Sequence, residues 1–339
     1  MFNANNTFGS YHRYVNRVAG DTIRQSLMLN DGSIPERIYK KIQWYMVEAV
    51  IMGEMLACMT NIPISKRDRE SLVYLGALMA LFDVMVDDFR LDRDIIKKLL
   101  DNAFSPAVII VTDDITAIEK VYYLYLDKLI ATIDKEHLLK ITEHLGLIKM
   151  QMESAEQYSK SISEESVTSI TAGKGGVSAL ICSAFLHQRS DSFIKAVYEI
   201  GAFIQMMNDC QDIHKDTVDG IRTFVHFRNN FTEIAVKLDE QRRKCFALIK
   251  ILDYPHKGRK EILFNLNAMF VVITYKLHRY AKICNYCLDF KAIAAMNRKD
   301  FRINPFSPST VSACFMKIMR FEYDNPESGL FFRFERNES

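Results

Sequence analysis

The chain has 339 residues, of which 49% are hydrophobic and 25% charged, a composition that predicts a globular protein and excludes a disordered one. Its 44 Lys and Arg residues nearly balance its 42 Asp and Glu residues, so there is no electrostatic case for binding nucleic acid or an anionic membrane surface. The seven cysteines are scattered, and the CxxC of Cys284 and Cys287 has no second pair at zinc-site spacing, which predicts reduced thiols.

Apolar periodicity and the scarcity of strand patterns, prolines and glycines predict an all-α chain. From the N-terminus, we expect helices near 36–60, 67–99, 114–133, 136–161, 164–187, 190–217, 231–253, 258–289 and 308–320, with breaks at "TNIPISKRD", "FSPAV", "VDGIRT", "DYPHK" and "NPFSPS". There is no repeat and no shift in composition. The simplest arrangement is therefore one domain over 1–339, with a core at about 36–290 and terminal extensions at 1–30 and 322–339.

The polar N-terminus, "MFNANNTFGSYHRY", does not fit a signal peptide. The best candidate for a membrane span, residues 44–59, carries Glu48 and Glu54. We therefore predict a cytoplasmic protein without a transmembrane segment.

Two segments, 71–86 and 195–207, are apolar nearly all round, which is typical of helices at the centre of a helical fold. Both lead into acidic clusters. The first cluster, in "LFDVMVDDFRLDRD" (81–94), contains Asp83, Asp87 and Asp88. The second, in "GAFIQMMNDCQDIHKD" (201–216), places Asn208, Asp212 and Asp216 at steps of four residues, so that they share a helix face.

Carboxylates on apolar helices are costly to bury unless they are paired or bound to a metal ion. Their oxygens are hard ligands of the kind that Mg²⁺ prefers, and Mg²⁺ is commonly completed by substrate phosphates. The clusters therefore indicate a magnesium and diphosphate site. The alternative is that they are solvated helix ends, or pair with Arg90, Arg93 and Lys215.

The second stretch resembles the second aspartate-rich motif of squalene and phytoene synthases. The matching residues are Gly201, Phe203, Gln205, Asn208, Asp212 and Asp216. The first stretch resembles the DxxxD(D) motif of the same family, and the second is also similar to the looser NxxxSxxxE pattern of class I terpene synthases. The resemblance covers roughly residues 70–220.

This resemblance implies an all-α, single-domain class I isoprenoid synthase barrel with a central active-site cavity that both clusters share. It implies a prenyl diphosphate substrate, and a cluster of three Mg²⁺ ions held by Asp83, Asp87, Asp88, Asn208, Asp212 and Asp216. It also allows for a homodimer. The ions would help the diphosphate leave, and an aromatic, apolar pocket would hold the resulting carbocation.

Three further places could bind the diphosphate. "AGKGG" (172–176) is similar to a lysine-containing helix of chain-elongating prenyltransferases, which makes Lys174 a candidate. Arg279 and Tyr280 resemble the Arg-Tyr pair of microbial terpene synthases, and Lys215 lies within the second motif. The alternative for Lys174 is a solvated turn, and for Arg279 and Tyr280 an ordinary basic pair on an amphipathic helix.

The chain also departs from these families. The motif tyrosine of squalene and phytoene synthases is missing near Val167 and Ser169, and the arginine motifs that hold a second diphosphate in elongating enzymes are not evident. These departures favour a terpene cyclase that uses one diphosphate. The alternatives are a head-to-head or chain-elongating prenyltransferase and a helical interaction module without activity.

Overall fold

Helices form the regular structure of the described residues, so the predicted all-α class is confirmed. The computed structural model describes residues 8–92, 94–96, 98–99, 115–145, 153–186, 189–304, 307–323 and 332. Within them the α-helices are α1 (Phe8–Met28), α2 (Glu36–Thr60), α3 (Lys66–Asp87), α4 (Ala117–Thr132), α5 (Lys135–Leu145), α6 (Glu164–Cys182), α7 (Asp191–Gln211), α8 (Ile213–Asp219), α9 (Phe231–Lys250), α10 (His256–Ile283), α11 (Phe290–Ala295) and α12 (Pro308–Met319). Short 3₁₀ helices cover Glu153–Tyr158, Ser183–Phe185, Phe224–Phe227 and Arg298–Phe301.

The chain folds as two compact units, the first formed by residues 1–155 and 178–189 and the second by residues 156–177 and 190–339. The single domain and the shared central cavity that we expect from the resemblance stay predictions.

The first unit is built on an antiparallel pair, α2 and α3. The pair packs closely because Gly76 of α3 faces the backbone of α2, where an added Cβ would come within 2.5 Å of the Tyr45 carbonyl oxygen. The side chains of α3 are buried almost without interruption from Ser71 to Met85, which confirms the predicted central helix. Helix α1, which we expected as an extension, contributes Tyr11 and Val15 to this core.

Among the described residues, α2 is the helix that is long and apolar enough to cross a membrane, and 56% of its most apolar window is buried inside the protein. The core helix of a soluble protein passes the same test. The sequence expectation of no membrane span stays a prediction.

The second unit is built around α7, which packs on α9 and α10. Helix α7 begins where the Ser190 hydroxyl accepts a hydrogen bond from the Phe193 amide, a typical N-cap. Phe193, Val197, Ile200 and Phe203 are each completely buried, so this helix too is central, as its apolar sequence predicts.

Several predicted helix boundaries differ, and α1 was not predicted as a helix. The helix expected at 67–99 ends at Asp87, because the chain turns through Arg90, which has a left-handed φ of 49°. The helix expected at 190–217 is interrupted at Asp212, whose ψ of 13° separates α7 from α8. The predicted break "FSPAV" lies outside the described residues.

Candidate functional site

The second acidic cluster lies where α7 ends. Asp212 is the C-cap of α7 and its amide donates to the Asn208 carbonyl at 3.0 Å, while the Asp216 amide donates to the Asp212 carbonyl at 2.8 Å. The four-residue spacing therefore continues through the interruption. Since the C-terminus of a helix carries a partial negative charge, α7 adds to the attraction of this place for cations.

A further carboxylate, Asp209, joins this cluster. It is buried, and its side chain accepts hydrogen bonds from Thr171 of α6 and Gln205 of α7, both at 3.1 Å. We had not predicted it as a site residue, because it lies one position off the face of Asn208 and Asp212. Its neighbours hold it in the interior of the second unit, whereas Asn208 is exposed.

The three aspartates disfavour ionisation in one another. Burial raises the pKa of Asp209 to about 6 despite its hydrogen bonds. Burial, with repulsion from Asp209 and Asp212, raises the pKa of Asp216 to about 8. Burial also raises the pKa of Asp212, against the attraction of Lys215, Arg298 and Lys276. Ionising all three together is costly, and a bound cation would lower that cost.

A cavity of about 330 Å³ opens beside Asp212. Two cationic residues, Lys276 of α10 and Arg302, line it together with Tyr280. The complete lining is Gln211, Asp212, Lys276, Tyr280, Phe301, Arg302, Ile303 and Asn304. The second unit therefore combines acidic oxygens and basic side chains around one concave surface.

Lys276 was not predicted, although it precedes Tyr280 by one helical turn and so shares its face. It is buried and donates a hydrogen bond to Gln211 at 2.5 Å. Burial lowers its pKa, while Asp212 raises it. The predicted Arg279 lies on the same helix but is exposed. A search for basic residues one turn from Tyr280 would have found Lys276.

The Tyr280 hydroxyl is engaged by the backbone. It donates to the Phe301 carbonyl at 2.8 Å and contacts the Gln211 carbonyl at 3.3 Å. Tyr280 thus fixes the end of α7 and the 3₁₀ segment Arg298–Phe301 against α10. Its ring lines the cavity, and its hydroxyl holds the backbone carbonyls of Gln211 and Phe301.

Lys215 and Lys174, both predicted to bind diphosphate, lie close to the second cluster. Lys215 contacts Asp219 at 3.2 Å and Asp216 at 3.8 Å. The positive charge of Lys174 lowers the pKa of Asp209, although burial outweighs it. The structure thus brings both lysines to the acids of the second motif.

The glycines beside Lys174 serve the packing of α6 on α7. A Cβ added to Gly175 would lie 2.1 Å from the Gly201 carbonyl oxygen, so only glycine allows the two backbones to approach this closely. Gly176 similarly faces the Tyr198 ring, at 2.4 Å from an added Cβ. Helix α6 runs unbroken through these glycines, which therefore position Lys174 against α7.

The first acidic cluster has protein cations as partners. Lys41 of α2 contacts Asp83 at 2.7 Å and Asp88 at 3.3 Å, and Arg37 contacts Asp88 at 2.7 Å. The Tyr45 hydroxyl donates to Asp83 at 3.3 Å. Burial lowers the pKa of Lys41, but attraction to Asp83 and Asp88 outweighs this effect and the pKa is raised.

These partners come from α2, a helix that no sequence motif connected with the site. The antiparallel packing of α2 on α3 aligns Lys41 with Asp83 and Arg37 with Asp88. Asp87 lies half-buried at the last residue of α3. Of the alternative partners, Arg90 forms the turn after α3, and Arg93 lies outside the described residues.

The donor chemistry of the second cluster fits a hard divalent cation. Asp209, Asp212 and Asp216 offer carboxylate oxygens. Their pKa values are raised because burial penalises their charged forms, and a bound cation would favour those forms. In the first cluster, Lys41 and Arg37 already neutralise part of the charge. The fit for Mg²⁺ is therefore better in the second unit.

Eight chains of solved structures are similar to this chain, and two of them are the following. A geranyltransferase from Legionella pneumophila is 15% identical, with a TM-score of 0.46, over 80% of this chain and 99% of its own. An isoprenoid synthase family member from Thermotoga neapolitana is 16% identical, with a TM-score of 0.39, over 73% of this chain and 96% of its own. No protein-family model and no curated protein sequence matches the chain. Such low identities leave the function to be argued from the site residues.

Proposed function

We propose that the protein is a class I terpene synthase that ionises one prenyl diphosphate and converts the carbocation to a terpene hydrocarbon or alcohol, with release of diphosphate. The observation that carries this proposal is the convergence of acidic and basic side chains on the cavity at the end of α7. Asp212, Lys276 and Arg302 line that cavity, and Asp216 lies one turn beyond Asp212.

The acids and bases have complementary tasks. We propose Asn208, Asp212 and Asp216 as Mg²⁺ ligands, with Asp83, Asp87 and Asp88 of the first motif. Bound there, Mg²⁺ supplies Lewis-acid neutralisation of a diphosphate leaving group. The remaining diphosphate oxygens would be contacted directly by Lys174, Lys215, Lys276 and Arg302, because charge-assisted hydrogen bonds are the strongest that side chains offer.

Incubation of the purified protein with C10 to C30 prenyl diphosphates and Mg²⁺, followed by mass spectrometry of the extract, tests the proposal. We expect a product from one diphosphate without added isopentenyl diphosphate. Asp212→Asn should remove most of the activity and leave the helical circular-dichroism signal unchanged. Full turnover by this variant would show that the assignment of the second cluster is wrong.

One observation favours a second candidate, a prenyltransferase that uses two substrates. Such an enzyme must hold a second charged head group, and Arg37 and Lys41 place two cations beside the first acidic motif. No basic residues for this task were evident from the sequence. Activity that appears only when isopentenyl diphosphate is added, or a product with twice the carbon number of the substrate, would favour the transferase.

A further inference from the structure

A third cluster of possible metal ligands, which differs from the two acidic clusters because it contains a histidine, lies in the first unit near the start of α3. It contains Asp68 of α3, Asp134 of the connection between α4 and α5, and His137 of α5. One ligand atom from each residue lies within 4.8 Å of the other two. Asp68 and His137 are buried, with 6% and 3% of their surfaces exposed, whereas Asp134 is exposed.

We propose that Asp68, Asp134 and His137 form a binding site for a transition-metal dication of the Zn²⁺ class, separate from the proposed magnesium site. An imidazole nitrogen with two carboxylate oxygens suits Zn²⁺, Co²⁺ or Fe²⁺, whereas Mg²⁺ prefers oxygen ligands alone. Three protein ligands leave a fourth position for water.

The distance between the ligand atoms of Asp68 and His137 already suits the binding of both atoms to one metal ion. The Nδ1 atom of His137 lies 3.2 Å from Oδ1 of Asp68, and bond lengths of 2.0–2.2 Å to a tetrahedral ion place neighbouring ligand atoms roughly 3.3 Å apart. The exposed Asp134 would complete the site by a small side-chain movement.

Neighbouring residues hold the ligands in place. The Ser65 hydroxyl donates to Oδ2 of Asp68 at 2.6 Å, which leaves Oδ1 directed at His137. The His137 ring packs against Phe185, with 5.3 Å between ring centroids. Such outer contacts orient metal ligands and increase affinity.

A protein cation already compensates part of the charge of this cluster. Arg67 contacts Asp134 at 2.7 Å, and its Nε donates to the Thr132 carbonyl at 2.7 Å. Two carboxylates and one guanidinium leave a net charge of about −1 when the histidine is neutral. Arg67 would therefore compete with a metal ion for Asp134. Removing the charge of Arg67 should increase the affinity for metal, whereas removing a ligand should decrease it.

The test uses the full chain, stripped of metal by a chelator and held in excess Mg²⁺ to occupy oxygen-only sites. Co²⁺ is titrated by its visible absorption and then displaced by Zn²⁺. We expect one equivalent to bind, with affinity lowered at least 100-fold in His137→Gln and at least tenfold in Asp134→Asn. Arg67→Gln should bind Co²⁺ several-fold more tightly, because it releases Asp134.

The matched control is Asp127→Asn, which changes an exposed aspartate of α4 outside the cluster and should leave Co²⁺ binding unchanged. If His137→Gln does not fold, Asp134→Asn decides the test, because Asp134 is exposed and asparagine is nearly isosteric. Equal Co²⁺ binding by wild type and Asp134→Asn, or weaker binding by Arg67→Gln, would overturn the proposal. None of these readouts depends on terpene synthase activity, so the two proposals can fail separately.

Discussion

At the scale of single residues, the two acidic clusters differ in how their charge is compensated. Asp83 and Asp88 are paired with Lys41 and Arg37, which α2 supplies. Asp209 and Asp216 instead have raised pKa values, because burial and mutual repulsion act on them. The second cluster is therefore the place where protonation and metal binding should compete.

This competition predicts that the metal-free protein loses stability as the pH rises from about 4 to 8. The pKa of Asp216 is about 8 in the folded chain and near 3.8 when unperturbed, so over this range the unfolded chain releases a proton that the folded chain retains. Asp216→Asn should remove the part of this loss that Asp216 causes, whereas Asp209, whose pKa is also raised, retains its own part. At pH 8.5 in EDTA the substitution should raise the free energy of unfolding by at least about 1.4 kcal/mol, the equivalent of one pKa unit.

Thermal melts at pH 5 and pH 8.5 measure the effect, with the exposed Asp253→Asn as the control. Asp216→Asn should melt several degrees above wild type at the higher pH, and the gap should narrow at pH 5, because the unfolded chain releases this proton only above about pH 4. A gap that widens toward pH 5 would mean that Asp216 ionises more easily in the folded chain than in the unfolded one.

Lys276 and Arg279 offer a second comparison of single residues. Lys276 is buried at the cavity, whereas Arg279, three positions along the same helix, is exposed. We expect Lys276→Gln to lower kcat about 100-fold, the usual effect of removing one group that stabilises developing charge. Arg279→Gln should stay within a few-fold of wild type. The rate of diphosphate release measures kcat. A similar loss of kcat in both variants would show that Arg279 also takes part in the site.

At the scale of helices, sequence periodicity predicted most elements to within a few residues. It succeeded because apolar residues recur at helical spacing and because caps such as Ser190 mark the starts. It missed the interruption at Asp212, since hydrogen bonds at four-residue steps continue on both sides of it. It missed Lys41, Arg37 and Lys276 because packing between distant helices brings them to the acids, and no local pattern records such packing.

The crossing of α6 and α7 gives a prediction for Gly175. Gly175→Ala would place a Cβ 2.1 Å from the Gly201 carbonyl oxygen, so α6 must shift. We expect a loss of about 3 kcal/mol or more in the free energy of unfolding, at the upper end of overpacking effects. Lys174 would move with the helix, and activity should fall as well.

Gly20→Ala in α1 is the matched control. There the nearest atom to an added Cβ is the end of the Arg24 side chain at 3.9 Å, an ordinary contact. Replacing a helical glycine by alanine should then stabilise by about 0.5–1 kcal/mol. Chemical denaturation of both variants measures the difference, and equal effects would rule out the backbone contact as the cause.

At the scale of the whole molecule, the proposed function requires both acidic motifs to act on one substrate. Mg²⁺ and inorganic diphosphate together should raise the melting temperature by several degrees, since a ligand at 100 times its Kd stabilises by about 2.7 kcal/mol. Either Asp83→Asn or Asp212→Asn should abolish most of this shift. Asp253→Asn should retain it. A full shift in Asp83→Asn would confine diphosphate binding to the second unit and weaken the terpene synthase proposal.

The contact of Gly175 with the Gly201 carbonyl has an evolutionary consequence. Any homologue that keeps α6 and α7 at this separation must retain glycine at position 175, since every other side chain begins with the Cβ that the carbonyl excludes. The neighbouring Lys174 acts through its charge, which lowers the pKa of Asp209. An invariant glycine after a variable or basic position, about 26 residues before Gly201 in this chain, is therefore the fingerprint by which divergent relatives should be sought.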